Sequence, residues 1–379
     1  MGEKTGEKMR EKTTQISAAL APLLATLAVG VLSTFASSSA QAGEFYEFYT
    51  GVRQLGMGGA YVSTVNDETA ILTNPAGLGK LRDTTFTFID PEISGSFDDT
   101  KIATLSNVSN VLNTQGLLDS LNQSRGTHWN AKAQFFPSIV TTNFGAGLHA
   151  KIETNAEVDS AGNTFRLDYT DDYAAALGYC FRFFGGVVKF GTSARIINRS
   201  EIHKDIPVNS TNLTLNTLAS EGLGIGGDLG MIVTAPVQFL PALSVVVRDV
   251  GGTSYELSNG LFNSTATKPQ ETPQSIDAGV AIFPILSNGT RLSIAAEYHD
   301  ALKSNPDPDT MKRVHAGMEF NFRDFFFLRG GLNQRYWTGG VELATENFQL
   351  QVASYGEDIG PTGTPREDRR WVTKFTFRF

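Results

Sequence analysis

Apolar and polar residues alternate one for one through the C-terminal third of the chain. In 313–323, Val314, Ala316, Met318, Phe320 and Phe322 share one parity; His315, Gly317, Glu319 and Asn321 share the other. In 291–299, Leu292, Ile294, Ala296 and Tyr298 oppose Arg291, Ser293, Ala295, Glu297 and His299. The last eleven residues, RRWVTKFTFRF, set Trp371, Thr373, Phe375, Phe377 and Phe379 against Arg370, Val372, Lys374, Thr376 and Arg378. Side chains alternate across a strand with period two, so each segment is a strand with one greasy and one polar face.

About fourteen such segments follow one another, with turn chemistry between them. The pattern predicts an all-β fold, a transmembrane antiparallel β-barrel whose apolar face meets lipid and whose polar face lines a wet lumen. A two-part reading of 164–171 and 173–183 gives two strands there. Phe325, Phe326, Phe327 and Leu328 are the main run apolar on both faces. Tight turns are predicted at 333–334 and 345–346 on one rim. Longer polar stretches at 207–220, 254–272, 304–311 and 356–368 belong to the other, as in outer-membrane barrels. Leu105, Val108, Val111, Leu112, Leu118 and Leu121 recur at helical spacing, so 102–121 is predicted to hold a short amphipathic helix in an early loop.

The N-terminus carries an export signal. Lys4, Lys8, Arg10 and Lys12 precede a nearly uncharged apolar stretch, and Ala40-Gln41-Ala42 is a small-x-small cleavage site. Residues 1–42 are therefore read as a signal peptide, with the mature chain starting at Gly43. No later run of ~18 apolar residues occurs, which excludes a helical membrane protein. A mean hydropathy of −0.13 is compatible with a barrel, because alternation hides the lipid face. The net charge of −8 argues against nucleic-acid binding. Cys180 is the single cysteine and forms no intramolecular disulfide.

Candidate chemistry is sparse. GLGIGGDLG at 222–230 has a GxGxxG-like spacing, but it lies inside a strand with no helix after it, so no cofactor is expected. The five histidines lack ligand spacing, so no metal is expected either. His299 and His315 share a lumen face with Arg291, Glu297, Glu319, Glu342, Lys374 and Arg378. They read as a solvated polar network rather than a catalytic dyad, and the chain is not read as an enzyme.

Between signal and first strand lies GVRQLGMGGAYVSTVNDETAILTNPAGLGKL, 51–81. Gly56, Gly58 and Gly59 mark close-packed backbone, Asn66-Asp67 a cap or turn, and Asn74-Pro75 a second turn. So short a piece does not fold alone; inside a lumen it would have support. The segment resembles the N-terminal stretch of the FadL-type outer-membrane transporters and their PorV-type relatives. Gly56, Gly58, Gly59, Ala60, Asn66, Asp67, Ala70, Asn74, Pro75, Ala76 and Gly77 carry the resemblance, with VVVRDVGG at 245–252, FFLRGGLNQRYWTGGVEL at 326–343 and the terminal Phe strand. It implies a hatch (43–82) plugging a fourteen-stranded barrel (83–379) in the bacterial outer membrane. It further implies a monomer seated in outer-membrane lipid, with Trp371, Phe375, Phe377 and Phe379 forming a terminal strand read by the barrel-assembly machinery.

The function implied is passive uptake of hydrophobic small molecules, fatty-acid-like or aromatic. The alternative is a PorV-like structural or secretion-associated barrel that docks protein partners. A continuous apolar pocket beneath the long loops and touching Asn74-Pro75 would favour transport. A polar, plugged lumen would favour docking. Gly145 and Gly147 are the expected place for a bulge that opens the wall sideways.

Overall fold

The structure is a computed structural model and describes residues 44–96, 114–263, 267–286, 289–361 and 363–379. The signal-peptide reading of 1–42 and the first part of the early helix, 102–113, lie outside them.

One antiparallel sheet closes on itself. Its strands are β1 (Thr85–Ile89 continued by Glu92–Ser96), β2 (His128–Phe135 continued by Ser138–Thr141), β3 (Phe144–Val158), β4 (Thr164–Phe183) and β5 (Val188–Pro207). Then follow β6 (Ser220–Thr234), β7 (Ala242–Arg248), β8 (Ser275–Ile282), β9 (Arg291–Tyr298) and β10 (Val314–Phe322). β11 (Phe326–Asn333), β12 (Tyr336–Ala344), β13 (Phe348–Asp358) and β14 (Glu367–Arg378) complete it. Each strand pairs with the next, which makes a 14-strand barrel. Closure is direct: Phe86 and Phe379 exchange backbone hydrogen bonds of 2.8 and 2.9 Å, and Arg370 through Lys374 pair with Ser96 through Glu92. A closed sheet leaves no unpaired edge in the hydrocarbon, the condition lipid imposes on strands.

β1 and β2 are each interrupted beside a proline, Pro91 and Pro137, which has no N–H to give the ladder. The two segments read as separate strands, 164–171 and 173–183, are one strand of 20 residues. Asp172 turns inward onto Arg199 and needs no turn to reach a partner. β11, which the sequence shows only as the run of Phe325 to Leu328, supplies the remaining strand. The tight turn after Asn333 is Gln334-Arg335, with Gln334 at φ 58°. It stands on the long-loop rim, beside loops 299–313 and 359–366, while the 345–347 turn stands on the opposite rim; the two do not share one end.

Alternation is carried out as the pattern predicts. Leu148, Leu177, Ile196 and Ile225 are more than half exposed on the outer face, where Trp371, Phe375 and Phe377 are also exposed, each by less than half. A closed 14-strand barrel wrapped in such a band is an outer-membrane barrel.

The inward face packs on the N-terminal segment. A short helix α1 (Val52–Gly56) lies on β12 and β13, and a 3-10 turn at Pro75–Lys80 lies on β4, β5 and β6. Met57, Ala60, Val65, Ala70, Ile71, Ala76 and Leu78 are fully buried.

A second apolar cluster forms elsewhere. Helix α2 (Thr114–Leu121) buries Leu117, Leu118 and Leu121 against Trp129, Phe165, Leu167, Ile202 and Ile206. Those wall residues share the parity of the exposed Leu148, Leu177 and Ile196. The helix therefore sits on the outer face of the tall β2–β5 wall, not over the mouth of the barrel.

Candidate functional site

The site with the most concentrated chemistry is the contact between the N-terminal segment and the lumen wall. Locally, the segment is held in shape by its own caps. Asp67 accepts from Thr69 N at 3.1 Å and opens a 3-10 turn at Glu68–Ile71. Asn74 is wholly buried: its Nδ2 donates to Val62 O at 2.8 Å while Oδ1 accepts from Ala76 N at 3.1 Å. That is an N-cap with proline at the first turn position, where no N–H is missed. Gly58 and Gly59 take φ of 66° and 85°, a region costly for other residues.

Charged side chains then tie the segment to the wall. Arg53 donates to both oxygens of Glu319 at 2.8 Å, and Arg329 Nε reaches the same carboxylate at 2.7 Å. Glu342 accepts from Arg329 and, at 3.0 Å, from Gln351. Glu297 accepts from Ser63 N at 3.0 Å. His299 sits between Glu297, at 3.3 Å, and Glu47 of the segment, at 3.1 Å. His315 stacks on His299 with ring centres 4.0 Å apart, its Nδ1 3.0 Å from Gly58 O. Lys374 lies 3.1 Å from Asp90 and 3.7 Å from Glu68.

Thus Glu297, His299, His315, Glu319 and Lys374 meet one N-terminal segment, while Glu342 pairs with Arg329 and the wall glutamines beside it. Arg291 does not meet the segment: it is exposed at the short-turn end and pairs with Asp324 at 3.0 Å. It has the inward parity but stands beyond the last contact of the segment. Arg378, half-buried, borders a polar cavity of about 30 Å³ with Gln349, Arg53 and Asp67. That space is water-sized.

Three further clusters were not singled out from the sequence. Arg199 binds Asp172 at 2.7 Å and meets Tyr46 of the segment. Arg370 forms a two-pronged pair with Glu44, at 2.7 and 2.9 Å. Arg195 lies between Asp228 and Asp249. The three arginines, with Asp172 and Asp228, are inward positions of long strands, so the signal was their parity. The glycines carry a second signal. An added Cβ at Gly191 would strike the Ala76 backbone, at Gly230 the Asn74 side chain, and at Gly317 the Met57 carbonyl. The GxGxxG-like run thus lies in β6, where its last glycine makes room for Asn74.

Burial alone would raise the Glu47 carboxyl. The hydrogen bond and charge of His299, with Arg248 and His315 nearby, bring it down to about 2. Burial, with the charges of Lys189 and Arg53, brings Lys80 down to about 7.

Among the described residues, Asn74 and Pro75 close against Gly191 of β5 and Gly230 of β6. An apolar space lies outside. A groove of about 600 Å³ on the outer wall is lined by Phe86, Pro137, Ile139, Leu148, Leu177 and Ile225. It lies at the interruption of β2. Gly145 and Gly147 pair in regular register with β2 and face inward onto Ile71 and Phe136, so the break is in β2 and not in β3.

No protein-family model matches the sequence, and neither does any curated protein sequence. Solved structures do match. The CymD monoaromatic hydrocarbon channel superposes with a TM-score of 0.51 at 10% identity, over 86% of this chain and 96% of that one. The Ralstonia pickettii toluene transporter TbuX gives 0.51 at 14% identity, over 87% and 98%. This chain has the fold of the FadL-type outer-membrane channels. At this identity the likeness is one of architecture, shared by the barrel over nearly the full length of the FadL-type chains.

Proposed function

We propose that the chain mediates passive uptake of hydrophobic small molecules, fatty-acid-like or aromatic, across the outer membrane. The groove at the β2 interruption carries this reading. It presents small residues, Ala146, Ala175 and Ala194, as a floor between apolar walls, open to the lipid phase. Immediately inside lie Phe136 and Ile71 of the buried core. An apolar solute thus meets apolar surface on both sides of the thinnest part of the ladder. Two matching structures are named for monoaromatic hydrocarbon or toluene passage, which supports the same solute class. The polar ties inside act as fasteners: the N-terminal segment must shift for a solute to pass, and His299 and His315 serve that fastening rather than acid–base chemistry.

Uptake of labelled fatty acids and aromatic hydrocarbons by a deletion strain tests the reading. Slower uptake of at least one class, restored by the gene, is expected; unchanged uptake of all of them overturns it. Asn74→Ala with Pro75→Ala is expected to alter permeation while the barrel still assembles.

A second reading, docking of protein partners, has its own observation. The N-terminal segment fills the lumen with many charged ties, and the described parts of the loops after β7 and β9 stand on one rim. A protein that crosslinks to those loops in cells, together with unchanged solute uptake, would favour it.

A further inference from the structure

The outer wall carries a built ledge that the uptake reading does not use. Glu221 of β6 and Asn198 of β5 have outward parity, shared with the exposed Ile225 and Ile196. Neither faces solvent; Glu221 is 2% exposed. Glu221 accepts from Asn198 Nδ2 at 2.9 Å and from the backbone N–H groups of Phe262 and Asn263 at 3.0 and 2.7 Å. Asn198 Oδ1 accepts from Leu261 N at 3.0 Å. The loop after β7 is thereby pinned to the outside of the barrel. Its tip leaves Leu257, Leu261 and Phe262 exposed by 59, 66 and 72%.

Its height can be read from the register. The outward apolar face of β4 runs from Tyr173 through Leu177 to Phe183. At about 3.3 Å per residue and a tilt near 40° this spans about 25 Å, the height of a barrel's apolar band. Tyr173 then marks the upper boundary, where aromatic residues gather. Phe262 packs edge-on against that ring, with centres 5.5 Å apart. One rung above Tyr173 the outward face turns polar, at Asp171 and Ser200.

We propose that the 257–262 tip is a membrane-lying lip: Leu261 and Phe262 insert among lipid acyl chains just below the headgroups of the outer leaflet. The occupant is lipid because the tip is continuous with the lipid-facing band through Tyr173, Leu177 and Ile225. The pinning satisfies the loop's backbone N–H groups on the wall, which lets apolar side chains face hydrocarbon. The lip also covers Asn198, level with Tyr173, and Glu221, which pairs with Ser200 one rung higher.

Spin labels at Phe262→Cys and Leu261→Cys, in a Cys180→Ser background and phosphatidylcholine vesicles, test this. Leu177→Cys serves as the mid-band reference and Asn209→Cys as the water reference. The ratio of oxygen to nickel-chelate accessibility at 261 and 262 is expected to exceed that at 209 several-fold and to fall short of that at 177. A ratio equal to that at 209 overturns the proposal. So does shielding from both agents with spin broadening that grows with protein density, which would mean a second copy. Glu221→Ala should move the 262 label into water and leave the 177 label unchanged. Where that variant does not assemble, the labels in the otherwise unchanged wall still decide.

Discussion

Glu47 shows how much of the lumen chemistry rests on single side chains. It is the segment's contact with the His299–His315 stack, and its carboxyl is held at about 2 against an ordinary 4.5. A depressed carboxylate stabilises the bound arrangement fully above its free pKa and loses that contribution as pH falls through the folded one. The N-terminal segment is therefore expected to loosen between about pH 4.5 and 2, by at most about 3 kcal/mol from this residue. Proteolysis of residues 44–82 followed against pH checks it. Glu47→Gln should release the segment more readily at pH 7 and flatten that acid dependence; an unaltered profile would show that Glu47 does not hold it. The carboxylate could be read from sequence as an early polar residue, but its partner lies about 250 positions away, and nothing local announces that contact.

At the scale of elements, alternation made the strands legible because period two is enforced by lipid on one side and water or polar contacts on the other. It failed in one instructive place. Asp171-Asp172 looks like a turn, yet β4 runs through it, because the strand leaves the membrane there and one carboxylate finds Arg199 inside. Helix α2 was legible from its leucine spacing, but not its seat on the outer wall, since its partners belong to β2, β4 and β5. The closing element makes its own prediction. β14 joins β13 along its length and β1 through the Phe86–Phe379 exchange. Deleting Phe379, or Phe377→Asp, is expected to reduce the folded, heat-modifiable barrel in membranes more than it alters permeation per folded molecule. Gel mobility before and after heating, with uptake normalised to folded protein, measures both; normal assembly of the two variants would remove the closing strand from that role.

For the whole molecule, two environments act on one wall. Outside, hydrocarbon admits only apolar or small side chains across the band. Leu177→Arg, at the middle of that band, is expected to cost about 2–4 kcal/mol, read as a lowered denaturant midpoint for refolding into vesicles. Inside, carboxylates and guanidiniums are buried against a segment instead of bathed by water. Buried ion pairs specify an arrangement more dependably than they stabilise it, since desolvation offsets much of their attraction. The fastening of the segment therefore reads as a position that can be exchanged rather than a permanent weld.

The sequence by itself determined the barrel, its orientation of faces, the polar parity of Glu297, His299, His315, Glu319, Glu342 and Lys374, and the compact turns around Asn74. These are local or periodic properties, set by side-chain alternation and backbone chemistry. Only the tertiary structure decided that those charges, Glu342 apart, fasten the N-terminal segment, that Arg291 stays out at the rim, that the wall is interrupted in β2, and that α2 and the 257–262 tip lie on the outside. Each depends on which distant strands become neighbours when the sheet closes, and closure is a property of the whole ring.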